Sequence, residues 1–378
     1  MYLLEHDAKQ LLSSHGIPSP QGCLLTTPDV SQDLPPGPWV VKAQITVGGR
    51  GKAGLIKKAA TATEVADKTA EIIGKQIKGR TVRTVRVEQQ VHGASEAYLS
   101  MLLDPAQAGV RIIMAAQGGM EIEALPHDAL RMVTAAPDIA TLATAAEKLA
   151  ASFDGATGKA LAEAGRAMAG AFMATEALLI EINPLFVNSD GSWVAGDAKF
   201  VTDDSALPRQ PEQHALLADT GGPYLETALK DAHGCDYVVV DPAGEIALLT
   251  TGAGLSMMLI DEMRGAGLKP YNFLDIRTGG LRGETKRLVS VLQWMHQGPN
   301  VKVLLINIFA GITELGEFSR LLVSALHAVP EFKVPVVARL VGNGMEAARA
   351  VLAEAGITSH SDLDAALAEV RTHLGGRK

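Results

Sequence analysis

Three groups of residues have the types and spacing from which chemistry can be built. The first is Lys42 followed by Gly48-Gly49-Arg50-Gly51-Lys52-Ala53-Gly54. One fixed cation beside a row of backbone amides suits a polyphosphate. The segment is not a Walker loop, because Ala53 follows Gly51-Lys52 where that motif needs Ser or Thr, and Thr46 stands at its first glycine. On these residues alone, a solvated hairpin carrying basic side chains is an equal possibility. The second group is Leu178-Leu179-Ile180-Glu181-Ile182-Asn183-Pro184-Leu185, where a carboxylate and an amide interrupt an apolar strand. A spacing of two puts Glu181 and Asn183 on one face. The turn signal Asn188-Ser189-Asp190-Gly191 leads into Trp193 to Phe200, and a hairpin centred near residue 190 brings Asp197 almost opposite Asn183. A carboxylate facing an amide oxygen can hold Mg²⁺, which prefers oxygen ligands and shares them with nucleotide phosphates. The alternative is the polar face of an ordinary hairpin, although Glu181 inside so apolar a run is costly without a partner.

The third group is a set of glycine loops: Thr251-Gly252-Ala253-Gly254, Arg277-Thr278-Gly279-Gly280, Ala310-Gly311-Ile312-Thr313 and Val341-Gly342-Asn343-Gly344. Singly, each reads as a tight turn needed for helix–strand packing. Together they line one edge of a sheet, where Arg277, Thr278 and Arg282 are best able to meet an oxyanion. Arg282 equally suits a solvated helix start. The ten histidines show neither metal-ligand spacing nor a triad motif.

These groups need elements to position them. Leu3 to Leu12 has helical spacing and is closed by Gly16 and Pro18; Trp39 to Gln44 reads as a strand entering the glycine loop, which carries too much glycine to be rigid. A helix over Thr63 to Ile77 and strands over Thr84 to Gln90, Glu96 to Leu103 and Arg111 to Ala116 make a mixed α+β region lasting to about residue 200. From about residue 229 the pattern becomes a regular strand–loop–helix alternation. Its runs are Tyr237 to Val240 with Ile246 to Thr250, then Tyr271 to Ile276, Val303 to Ile308 and Val334 to Leu340. This is the pattern of a doubly wound parallel sheet, whose ligands sit beyond the carboxyl ends of the strands. Two domains are expected, 1–228 and 229–378, with a linker in the Pro- and Gly-rich stretch between Leu207 and Thr227.

At 378 residues, 47% hydrophobic and 20% charged, the chain is long enough for two cores and far from a disordered composition. A formal charge of −8 disfavours nucleic acid as the main partner, while the local basic run from Arg50 to Lys58 stays compatible with a small phosphate ligand. Cys23 and Cys235 are too few for a disulfide framework. Neither a signal-like start nor an apolar run of spanning length is seen, so a cytoplasmic protein without membrane association is expected.

The same residues resemble the β subunit of succinyl-CoA synthetase over nearly the whole chain. The resemblance is carried by Glu5-His6-Asp7-Ala8-Lys9-Gln10-Leu11-Leu12 with Gly16-Ile17-Pro18, by Val40-Val41-Lys42 with Gly48 to Gly54, and by Glu181-Ile182-Asn183-Pro184-Leu185. Gly252-Ala253-Gly254-Leu255, Asn272-Phe273-Leu274-Asp275 and Asn307-Ile308-Phe309 carry it through the second half. The resemblance implies an α/β protein: an ATP-grasp domain (α+β) followed by a flavodoxin-like, doubly wound CoA-ligase domain. It implies Lys42, Gly49, Arg50, Gly51, Glu88 and Glu96 around ATP, Asn183 and Asp197 on Mg²⁺, and Glu181 steadying a phosphohistidine. Pro20 is in keeping with ATP-using members. In the family, ATP phosphorylates a histidine of the α subunit, the phosphoryl group passes to a carboxylate, and CoA displaces it. No segment here resembles the α subunit's phosphohistidine loop or CoA-binding domain. An α partner holding most of the CoA site is therefore expected, in a heterodimer or heterotetramer.

Departures from the family pattern lie in the loops expected to meet the acid. Thr251 replaces the usual Asn, Arg277-Thr278-Gly279-Gly280-Leu281-Arg282-Gly283 replaces a shorter glycine run, and Gly311, Ile312 and Thr313 lie in a changed loop. An added guanidinium and hydroxyls suggest succinate or a more polar relative such as malate, sulfoacetate or citrate. Two other functions are compatible with parts of the sequence: a self-contained ATP-grasp ligase joining a carboxylate to an amine, and a non-catalytic nucleotide-binding scaffold. The CoA-ligase-like second half speaks against the first, and retention of Lys42, Glu181, Asn183 and Asp197 against the second.

Overall fold

The computed structural model describes residues 1–30, 34–77, 80–120, 126, 129–218, 222–278 and 283–375. The chain divides into two compact units, Met1–Ala218 and Asp219–Lys378. The division falls within the stretch expected as linker and earlier than residue 228, because the helix Leu225–His233 packs on the strand Asp236–Val239 of the second unit. Among the described residues no helix is long and apolar enough to cross a membrane.

The first unit holds two sheets. One is antiparallel, in the order Gly22–Leu25, Thr84–Gln89, Trp39–Gln44, Ile56–Ala59. Alternation sorts its residues: Val41, Ala43, Val85 and Val87 enter an apolar core with Val65 and Ile72 of the helix Ala62–Ile72. Lys42, Gln44, Arg86 and Glu88 take the other face and are nevertheless buried. That helix is shorter than the sequence suggests. Gly74, at φ +85°, turns the chain so that its N–H reaches the Val82 carbonyl, and Gln76–Ile77 becomes a short strand.

The second sheet runs Trp193–Ala195, Ala177–Val187, Ser95–Asp104, Gly109–Ala115, Arg131–Ala135, with Lys199–Thr202 also paired to Ala177–Val187. The helices Ile139–Ala150 and Gly155–Ala174 cover it. The N-terminal helix Glu5–Ser14 begins two residues later than its apolar pattern. Leu3 is held instead by its N–H bond to Phe200 O, and the His6 N–H reaches Gln44 Oε1, so the helix touches both sheets.

The second unit contains a parallel sheet in the order Ile246–Thr250, Val303–Ala310, Val336–Gly342, Thr358–His360. Its alternation is strict. Ala247, Leu249, Leu304, Ile306 and Ala338 enter the core under helices Lys286–His296, Leu315–Ala328 and Met345–Glu354. Ile246, Leu248, Val303, Leu305 and Val337 enter the core under Ala253–Gly265 and Leu363–His373. Burial of both faces explains the unbroken apolar runs. Two expected strands differ: Asn272–Asp275 pairs antiparallel with Asp236–Val239. It lies beside Ile246–Thr250, joined by the backbone bonds Tyr271 N–H to Ile246 O and Ile276 N–H to Thr250 O and, between them, by the Asn272 amide, which exchanges two 2.9 Å hydrogen bonds with the Leu248 N–H and C=O. The chain leaves Ile246–Thr250 to one side and returns to its other side at Val303, which makes the carboxyl ends of these two strands the crevice of the fold.

Candidate functional site

The charged face of the first sheet is closed over by the N-terminal helix and by the carbonyl of Gly196. Glu5, Ala8, Lys9 and Leu12 share the buried stripe of that helix, so two charges point inward at apolar positions. Lys42 Nζ donates to Glu5 Oε1 (2.8 Å) and Gly196 O (2.6 Å), and lies 2.6 Å from Glu88 Oε1. Lys9 Nζ has nearly the same partners: Glu5 Oε1 (2.7 Å), Glu88 Oε2 (2.8 Å) and Gly196 O (2.9 Å). Arg86 donates to Glu88 Oε2 (2.7 Å) and to the Pro20 carbonyl (2.9 Å), and its guanidinium meets His6 Nδ1 at 2.7 Å. Gly196 has to be glycine, because a Cβ there would lie 2.4 Å from the Phe186 ring.

Arg50 brings the glycine loop into the same cluster. It donates to Glu5 Oε2 (2.6 Å), to the Ala43 carbonyl (3.1 Å) and to both carboxylate oxygens of Asp197 (2.8 and 2.7 Å). The loop also has internal order: Ala53 N–H bonds to Gly49 O and Gly54 N–H to Gly51 O. No atom of another residue lies within 4 Å of the point where a Cβ would sit at Gly48 or Gly51, so the backbone there is open to approach. Lys42, Arg50 and Glu88 thus converge with Gly49 and Gly51 beside them. Glu5, Lys9, Arg86 and Gly196 belong to the same cluster although their types gave no separate signal; the trace they left was the placing of Glu5 and Lys9 on the apolar stripe.

Burial alone would push the Glu5 carboxyl up, but Lys42, Lys9 and Arg50 outweigh it and hold it well below the usual range. Glu88 is depressed in the same way by Lys42 and Lys9. Lys42 is shifted up, because Glu5 and Glu88 overcome its desolvation; Lys9, more deeply buried and facing the charge of Lys42, is shifted down. The sign for stability follows. Once unfolded, both carboxyls take up protons near the ordinary value of 4.5, while in the fold they do so only at lower pH. The stability they contribute is present above that value and is lost as pH falls through the depressed ones. Thermal unfolding followed from pH 7 to 3 is expected to show a steep fall below about 4.5 that Glu5→Gln makes shallower; equal slopes would contradict the coupling.

Glu181 and Asn183 lie on one face of the strand Ala177–Val187, as their spacing requires. The pairs Glu181↔Lys199 and Leu185↔Ala195 bracket Asn183 and Asp197, placing them opposite each other in the hairpin. Their side chains take different partners: Asn183 Oδ1 accepts the Gly119 N–H (2.7 Å) and its amide donates to Met120 O (2.9 Å), while Asp197 holds Arg50. Both are oxygen donors of the kind Mg²⁺ uses, on one hairpin and next to the arginine of the glycine loop, so the residues fit that ion. Glu96 is exposed, and its carboxylate lies against Gly119, where a Cβ would meet it at 1.8 Å. The Tyr98 hydroxyl lies 3.5 Å from Glu181 Oε2.

In the second unit, Thr251 ends one side of the crevice, and the Thr278 and Thr313 hydroxyls meet across it at 2.9 Å. Gly311 and Ile312 are exposed there, Ile312 at 99%. Arg277, at φ +50°, pairs with Asp236 Oδ2 at 2.5 Å. Gly279, Gly280 and Arg282 lie outside the described residues.

Comparison with known proteins decides between the functions that share such a cluster. Residues 2–187 match the ATP-grasp domain family and residues 249–372 the CoA-ligase family. The β subunit of the ADP-forming succinate–CoA ligase of Chloroflexus aurantiacus is 42% identical over 363 residues, covering 94% of each chain. The corresponding subunit of Ignicoccus hospitalis is 35% identical over 98% of each. The chain belongs to this β-subunit family. It is accordingly an ATP-grasp domain followed by a CoA-ligase domain, in a family of ADP-forming acid–thiol ligases that use ATP and a divalent metal. The name of the family's subunit implies a partner subunit. An ATP citrate lyase from Methanothrix soehngenii, solved with citrate and coenzyme A, shares the fold over 99% of both chains (TM-score 0.70) at 19% identity.

Proposed function

We propose that the chain is the β-type subunit of an ADP-forming carboxylate–CoA ligase that works through a phosphohistidine on an α partner. The observation that carries this is the buried cluster in which Lys42 and Arg50 are both held at the mouth of the glycine loop. Lys42, Arg50 and the amides around Gly49 and Gly51 bind the nucleotide phosphates, with Glu88 and Glu96 completing the pocket. Asn183 and Asp197 would hold Mg²⁺, which when bound neutralises phosphate oxygens. The γ-phosphoryl group moves to an imidazole nitrogen of the partner's histidine and ADP leaves. Glu181 accepts a hydrogen bond from the other ring N–H, fixing the tautomer that can react. The phosphoryl group then passes to an oxygen of the acid. The thiolate of CoA attacks the carbonyl carbon, the C–O bond to phosphate breaks, and phosphate leaves; the thiol proton goes to solvent.

The acid lies at the crevice of the second unit, near Thr251, Arg277, Thr278, Gly279, Gly280, Gly311, Ile312 and Thr313. Arg277 is engaged with Asp236, and among the described residues the paired Thr278 and Thr313 hydroxyls, with Thr251, offer polar groups at that crevice. This favours a relative of succinate that bears a hydroxyl or sulfonate group. ADP release from Mg·ATP, with the α partner, CoA and a panel of succinate, malate, citrate and sulfoacetate, tests it. Higher kcat/KM for an acid other than succinate is expected. A preference for succinate would refute the altered specificity and leave the ligase; no acid-dependent turnover would refute both.

A further inference from the structure

Lys42 uses all three of its N–H donors inside the protein, on Glu5, Glu88 and Gly196 O. A phosphate can bind it only if one of these bonds is given up. Lys9 has the same three partner residues but is 2% exposed against 7% for Lys42, so a ligand reaches Lys42 and not Lys9. The two ammonium groups also repel each other, since both contact one carbonyl oxygen. We propose that Lys9 is a resident counter-cation: it keeps Glu5 and Glu88 compensated while Lys42 turns to the nucleotide. Without Lys9, departure of Lys42 would leave Glu88 with Arg86 alone and Glu5 with Arg50, itself shared with Asp197, a buried excess of carboxylate that tethers Lys42 in place. Lys9 is on this account a positioning residue, acting on phosphate only through Lys42. The inference rests on nucleotide binding at Lys42.

The test is calorimetric titration of the full-length chain with Mg²⁺ and the non-hydrolysable analogue AMP-PNP, alongside thermal unfolding. Lys9→Met is expected to raise Kd by about tenfold, the worth of about one charge-assisted hydrogen bond. The charge-balanced double substitution Lys9→Met/Glu5→Gln is expected to recover most of that loss. A lysine that serves only to hold the helix predicts the opposite, namely that the second substitution adds to the first in both Kd and Tm. Glu5→Gln alone removes an anion that holds Lys42 and is expected to tighten binding about threefold. This arm remains informative if Lys9→Met does not fold, since weaker binding by Glu5→Gln would overturn the inference. Unchanged Kd in Lys9→Met, or no recovery in the double variant, would overturn it while leaving the nucleotide site in place. No binding by the unaltered chain would overturn both.

Discussion

Replacing Lys42 by methionine is expected to lower acid-dependent ADP formation by about 10²- to 10³-fold, the usual loss when a preorganised donor to developing phosphate charge is removed. Most of the effect should be seen in kcat, because in the proposed site Arg50 and the amides around Gly49 and Gly51 would still bind the phosphates in the ground state. Stability should change less than a buried lysine usually implies. Breaking a buried pair costs about 3 to 5 kcal/mol when the carboxylate is left alone. Here Glu5 keeps Lys9 and Arg50, and Glu88 keeps Lys9 and Arg86. A variant with near-normal Tm and greatly reduced turnover would separate chemistry from folding. Full activity in a folded Lys42→Met chain would remove Lys42 from the mechanism.

Glu181→Gln is expected to give a loss of similar size, about 10²- to 10³-fold in turnover with the α partner, by a different route. Glu181 lies in the strand Ala177–Val187, beside Tyr98 and opposite Ser100 and Lys199, and its proposed partner is the α subunit's imidazole rather than the nucleotide. AMP-PNP affinity of the isolated chain should therefore be unchanged, while phosphoryl transfer to and from the partner slows. Glutamine keeps the shape and one acceptor but lacks the charge that stabilises an imidazolium or fixes its tautomer. An equal loss of nucleotide affinity would mean that Glu181 belongs to the nucleotide pocket instead.

Much of this was legible in the chain because each feature had a local pattern. Period-two spacing set the faces of Glu181 and Asn183, the Asn188 to Gly191 turn set the hairpin that places Asp197 opposite Asn183, and apolar runs ending at glycine marked the parallel sheet. What the sequence left open depends on contacts far apart in the chain. The roles of Glu5 and Lys9 had no local pattern to reveal them, because Lys9 meets Glu88 and Gly196 from 79 and 187 residues away and Glu5 meets Lys42 and Arg50 of the strand Trp39–Gln44 and the loop after it. Arg277 read as a substrate-binding cation, and its pairing with Asp236, 41 residues away, had no local pattern to announce it. The antiparallel pairing of Asn272–Asp275 was hidden because the Asn272 amide takes the place of backbone bonds to Leu248 in mid-strand, while backbone bonds join the segment to Ile246–Thr250 only at its ends.

In the proposed mechanism this chain delivers the γ-phosphoryl group of ATP to a histidine on a separate subunit. Incubation with γ-³²P-labelled ATP, Mg²⁺ and the α partner should place acid-labile label on the partner, and acid plus CoA should discharge it. The label should form far more slowly, by about 10²- to 10³-fold, when this chain carries either Lys42→Met or Glu181→Gln. ADP release that never labels the partner, or that proceeds in this chain alone with an amine acceptor, would contradict the account.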